Sequence, residues 1–172
     1  MKKLLILFFS LIAFSFSFSK ADYLEGIDIV KIKEILIKEN FEFKSGEYED
    51  LNFYFFERKK GKFQQKVDIY FTNGKPFELQ INSYHFHRKP EQLIMKQYLD
   101  LVTEKIGEGI ENEVIKRQMA EMLREMPDIA QEVRPGKIKD IEKNIRHFET
   151  KDYYIKTSNM ESEKSIAISC DQ

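Results

Sequence analysis

The most regular alternation of apolar and polar positions lies between Leu51 and Phe86, and it predicts an antiparallel meander. Val67, Ile69 and Phe71 are apolar while Lys66, Asp68 and Tyr70 between them are polar or amphipathic, the period-2 signature of a strand with one wet face. Phe77, Leu79 and Ile81 repeat it against Glu78, Gln80 and Asn82, so both strands offer odd positions to a core. Asn73-Gly74 favours a two-residue type I′ turn, but that register sets Ile69 opposite Glu78 and mixes the faces. Because a one-residue slip inverts every side chain, burial predicts a longer loop from Thr72 to Pro76, with Phe71 opposite Phe77 and Ile69 opposite Leu79. Lys59-Lys60-Gly61 reads as a three-residue loop with its glycine left-handed, which aligns Phe53 with Val67 and Leu51 with Ile69. The predicted core comprises these odd positions together with Leu51, Phe53 and Phe55.

A sheet with one apolar face is stable only when covered, and helical periodicity supplies the cover. Asp28 reads as the N-cap of a helix with Ile29, Ile32, Ile35 and Leu36 as its apolar stripe, ending near Asn40. Phe41-Glu42-Phe43-Lys44 alternates as a short strand closed by Ser45-Gly46. Pro90 suits the first turn of a second helix in which Ile94, Tyr98, Leu101 and Val102 recur until Gly107 and Gly109. From Ile110 to Met126 the pattern resumes, with Val114, Ile115, Met119, Met122, Leu123 and Met126 on one side. A further helical turn is expected around Ile129 and Val133, before the break at Arg134-Pro135-Gly136. Ile138 to Phe148 reads as helix, although β-prone residues allow a strand from Ile145. Tyr153 to Thr157 and Ser165 to Cys170 form a terminal hairpin joined by Ser158 to Lys164. The fold class is thus α+β: an N-terminal helix, an antiparallel β-meander packed by helices, and a C-terminal β-hairpin. The helix-then-meander order resembles cystatin-like layouts in topology alone, from which no function follows.

The first residues change the picture. Lys2 and Lys3, the apolar run Leu4 to Phe14 and the small-x-small exit Ser19-Lys20-Ala21 have the composition of a secretory signal peptide, residues 1–21. The run falls short of the ~20 residues a spanning helix needs, so no stable membrane span is expected after cleavage. Residues 22–172 then form a single α+β domain, exported to the periplasm or secreted. Of 28 basic residues, loss of Lys2, Lys3 and Lys20 leaves 25 against 29 acidic, a net charge of −4. That balance argues against nucleic acid as a partner, since grip on phosphates needs excess positive charge. The single cysteine, Cys170, has no internal disulfide partner.

Candidate chemistry is sparse. His85 and His87 lie two apart on a strand and so on one side, which makes them metal candidates, but zinc needs three or four ligands and His147 and Cys170 are remote in sequence. The apolar parity switches from odd at Ile81 to even at Tyr84 and Phe86, suggesting a bulge or an exit from the sheet. Tyr84 and Phe86 are expected partner or ligand contacts, as are Met119, Met122 and Met126, a soft ridge at helical spacing whose commoner role is core filler. No Gly-x-Ser-x-Gly, His-Glu-x-x-His, phosphate loop or Cys-x-x-Cys occurs, so no catalytic residue, metal or cofactor is assigned. The sequence reads as a non-catalytic binding or interaction module of the cell envelope or secreted fraction, its partner an unknown protein. The alternative is a carrier of a small apolar ligand between sheet and helices, and a hydrolase or metal-dependent enzyme comes third.

Overall fold

In the computed structural model, which describes residues 21–86, 92–126, 145–160 and 162–170, Asp28 caps α1 (Ile29–Lys38), its Oδ1 accepting from the N–H groups of Val30 and Lys31 at 3.0 Å each. Ile32 and Leu36 are the buried face of this helix, and Asn40, at φ 62°, turns the chain into the sheet. The strands β1 (Glu42–Tyr48), β2 (Leu51–Lys60), β3 (Phe63–Thr72) and β4 (Lys75–His85) form the expected meander. Two helices follow, α2 (Gln92–Gly107) and α3 (Glu113–Glu125), and then β5 (Ile145–Glu149), β6 (Tyr154–Asn159) and β7 (Glu163–Ser169). All seven strands join one antiparallel sheet in the order β1-β2-β3-β4-β7-β6-β5.

The register corrects the expected core in two places. β2 and β3 are joined through Gly61 and Lys62 alone, with Gly61 at φ 61°, the two-residue loop whose first position is glycine. Phe56 therefore faces Val67 and Tyr54 faces Ile69. Phe56 is fully buried and Tyr54 packs on the core, whereas Leu51, Phe53 and Phe55 are half-buried on the other face. Between β3 and β4 the two conflicting signals both hold. Asn73 and Gly74 form the two-residue turn, both at positive φ, and Ile69 still pairs with Leu79. A bulge at Phe77 absorbs the extra residue, so Phe71 pairs with Pro76 instead. Phe77 is turned out of the core and lies beside Tyr70 on the far face, ring centroids 6.4 Å apart.

β1 runs to Tyr48, past Ser45 and Gly46, and turns at Glu49 and Asp50. Ile145–Glu149, expected as helix, is a strand. The expected turn at Ile129 and Val133 and residues 138–144 lie outside the described residues. On α2 the buried stripe is Met95, Leu99, Val102 and Ile106, one residue on from Ile94 and Tyr98, and Leu101 points outward. α3 is capped by Asn112, which accepts from the N–H of Val114 and Ile115. It buries Ile115, Met119, Met122 and Leu123 and leaves Val114 exposed.

α1 is tied to the α2–α3 turn through its own N-terminus. Asp28 N–H donates to the Gly109 carbonyl at 3.0 Å, Glu111 N–H donates to the Gly26 carbonyl, and Ile27 bridges Ile110. The helices cover the face that carries Phe56, Val67, Ile69, Leu79, Ile81, Ile155, Ile166 and Ile168. Toward the Phe63 end this layer becomes polar: Gln65, Ser83, Lys164 and Asn159 occupy successive strands in one row, and all are buried. Gln65 Nε2 donates to the Tyr98 carbonyl of α2 at 2.8 Å, and the Lys164 ammonium donates to Asn159 Oδ1. Among the described residues no helix is long and apolar enough to cross a membrane.

Candidate functional site

The face of the sheet turned away from the helices divides into two halves. On β2, β3 and β4 it is aromatic, with Phe53, Phe55, Tyr70, Phe77 and Tyr84 all half-buried. On β4, β7, β6 and β5 it sinks into a trough of about 770 Å³. The depression has a simple cause. Along β7 the inward positions are Lys164, Ile166 and Ile168, while the alternate positions that face the trough are Ser165, Ala167 and Ser169. Small side chains on a middle strand, between larger ones on its neighbours, leave a channel along that strand. One wall is Glu78, Gln80, Asn82 and Tyr84 of β4, and the other is Tyr154, Lys156 and Ser158 of β6 with His147 of β5.

The chemistry of this surface is mixed. Glu78 and Glu163 border the trough together with Lys156 and His147, and amide, hydroxyl and phenol groups supply the rest of its polar lining. Ser158 is buried, and its Oγ has no hydrogen-bond partner. Beside the trough, Asp68 pairs across the sheet with Gln80 and Phe55. Burial pushes its carboxyl up to about 6; the Lys66 ammonium pulls against this and Glu78 adds to it. Burial also raises the Tyr84 phenol, with Glu163 and Asp68 adding to the effect. Lys66 lies 5.6 Å from the Phe55 ring and 5.7 Å from the Tyr84 ring, within reach of a cation–π attraction to both.

Tyr84 lines the trough. Phe86 projects beyond the end of β4 and is 63% exposed, but it is not part of the trough lining. The parity change that singled out these two is not a bulge: β4 pairs regularly from Glu78 to His85, and the inward positions there are Ser83 and His85. Met119, Met122 and Met126 are turned into the core, at 2%, 7% and 6% exposure, and do not form an exposed ridge. His85 is buried against the Phe63 ring at 4.8 Å, and His87 lies outside the described residues. Among those residues no three His, Cys, Asp or Glu side chains are gathered as a metal site. Sequence reading missed the trough floor, although the repeat Ser-Ile-Ala-Ile-Ser at 165–169 carried the signal: β-branched side chains alternating with small ones mark a strand whose second face leaves room. Compared with protein-family models, curated proteins and solved structures, the chain matches none.

Proposed function

We propose that the protein is an exported, non-catalytic binding or interaction module of the cell envelope or secreted fraction, and that it holds its ligand in the trough. The observation that carries this reading is the trough itself, a concave space of about 770 Å³ floored by Ser165, Ala167 and Ser169, in the size range of small-molecule sites. Its walls offer donors and acceptors on both sides, and Tyr84 and Tyr154 add flat, partly apolar surface of the kind enriched at contacts. Export rests on the charged, apolar and small-residue succession of residues 1–21. Among the described residues, the cavity bordered by Leu36, Phe41, Leu101 and Val102 has no room for a water molecule and lends no support to a carrier with its pocket there.

Ala167→Trp fills the trough from its floor and leaves the opposite face of β7 intact. Native mass spectrometry of protein purified from its own host should show a bound species on the wild type, lost in Ala167→Trp and in Tyr84→Ser, with melting temperatures within a few degrees of each other. A bound species retained by Ala167→Trp would place binding elsewhere.

A further inference from the structure

Between α2 and α3 lies a second concavity of about 540 Å³. It is on the opposite side of the molecule's sheet from the trough. Its base is apolar, formed by Met119, Ala120 and Leu123 of α3, and a Cβ built on Gly107 at its upper end would meet nothing within 4 Å. The charges around it cancel: Asp100, Glu104 and Glu108 stand against Lys96, Lys116 and Arg124. Lys116 is held by Glu113 at 2.8 Å and Glu108 by Lys105 at 2.9 Å. A body that is apolar and a head that is neutral would match this lining.

Two oxygen atoms on the α2 wall set the head group. Thr103 is 6% exposed and its Oγ1 has no hydrogen-bond partner, and neither has Asp100 Oδ1. Both residues border the concavity, and at a spacing of i and i+3 they lie on one helix face, about 5–6 Å apart at Cβ. Thr103 Oγ1 belongs to a buried residue, whereas Asp100 Oδ1 is covered on a side chain that is 38% exposed as a whole; a buried hydroxyl without a partner calls for an explanation. Asp100 Oδ2 is already taken by the Lys96 ammonium at 3.1 Å, so the carboxylate's charge is met and its other oxygen needs a neutral donor. The threonine hydroxyl can give its hydrogen. A single hydroxyl between them satisfies both, donating to Asp100 Oδ1 and accepting from Thr103 Oγ1. We infer that the α2–α3 cleft binds a small neutral amphiphile, an apolar body ending in a hydroxyl, with the hydroxyl bridging Asp100 and Thr103 and the body against Met119 and Leu123.

Benzyl alcohol and toluene differ by that hydroxyl and serve as the probes. In titrations of the folded protein followed by amide resonances, benzyl alcohol should shift Thr103, Gly107 and Ala120 and bind about tenfold more tightly than toluene. In Thr103→Val the preference should fall below about twofold while toluene binding is unchanged, and Asp100→Ala should behave alike. Thr103→Val should also melt no lower than the wild type, because it removes an unpaired hydroxyl without changing shape. Equal affinities in the wild type would mean that enclosed water satisfies the two oxygens and would overturn the proposal. So would a preference that survives Thr103→Val, a loss of several degrees in its melting temperature, or the absence of any shift at the cleft.

Discussion

Asp68 is a carboxyl group in a sheet row between a phenylalanine and a glutamine, and its position has a consequence for stability. Its folded value of about 6 lies above the ordinary aspartate value of 3.8, so the folded chain binds more protons than the unfolded chain between those limits. The contribution is fully present below about pH 4 and is lost as pH rises through about 6. Partial exposure screens it, leaving about 1 kcal/mol. Asp68→Asn keeps the shape without the charge and should raise the melting temperature at pH 7.5 by a few degrees, flattening its dependence between pH 4 and 7. Thermal denaturation at a series of pH values checks this, and a lower melting point for Asp68→Asn at pH 7.5 would show the carboxylate to be well bonded. Single positions were also where sequence reading failed. Leu51, Phe53 and Phe55 alternate with Tyr54 and Phe56, so in β2 both parities are apolar and period 2 selects neither face. The face then depended on the place and length of the Gly61 loop: a two-residue loop at 61–62 in place of three residues at 59–61 moves the register by three, from Phe53 to Phe56 opposite Val67, and an odd shift inverts the face. At Phe77 the bulge let both the Asn73-Gly74 turn and the Ile69–Leu79 pairing stand, and no periodicity reveals an inserted residue.

At the scale of elements, α1 was legible because it begins with a capping side chain, Asp28, followed by an apolar stripe; α3 was legible from its stripe alone, and its start after the Asn112 cap, past Ile110, was not read. α2 offers apolar residues at Ile94, Leu101 and Tyr98 as well as on its buried stripe, and only the surface it lies on decides between them. Ile145–Glu149 is a strand because β6 is beside it to pair with, from Ile145 against Ser158 to Glu149 against Tyr154, a fact no local pattern holds. The packing of α1 on the α2–α3 turn depends on Gly109. A Cβ there would come within 2.4 Å of Ile32 Cγ1 and 3.2 Å of the Ile32 backbone nitrogen, and the backbone atom cannot move without shifting the helix. Gly109→Ala should therefore cost about 1–3 kcal/mol, measured by denaturant unfolding. A variant as stable as the wild type would show that α1 is free to ride outward.

For the whole molecule, the export reading makes a simple prediction: protein recovered from its own host begins near Asp22, and intact-mass analysis that finds Met1 or Lys2 retained would refute it. The two-layer arrangement was legible because alternation and helical stripes occupy separate stretches of chain. The single seven-stranded sheet was not, since the meander and the terminal strands each read as complete. Their union rests on β7 lying beside β4, from Glu78 against Ser169 to Tyr84 against Glu163. That placement governs the order in which the molecule can be completed. As the chain is synthesised, β4 ends at His85 while its neighbour begins only at Glu163, so one edge of an otherwise finished four-stranded unit stays open through all the intervening growth. Ile81 and Leu79, later fully buried, sit on that edge. Such an edge recruits whatever strand is nearest, and non-local pairing is slow to replace it. A nascent chain of this protein is therefore most prone to self-association in the interval after β4 has emerged and before β7 has, and it is in that interval that a strand-shielding chaperone would have its greatest effect.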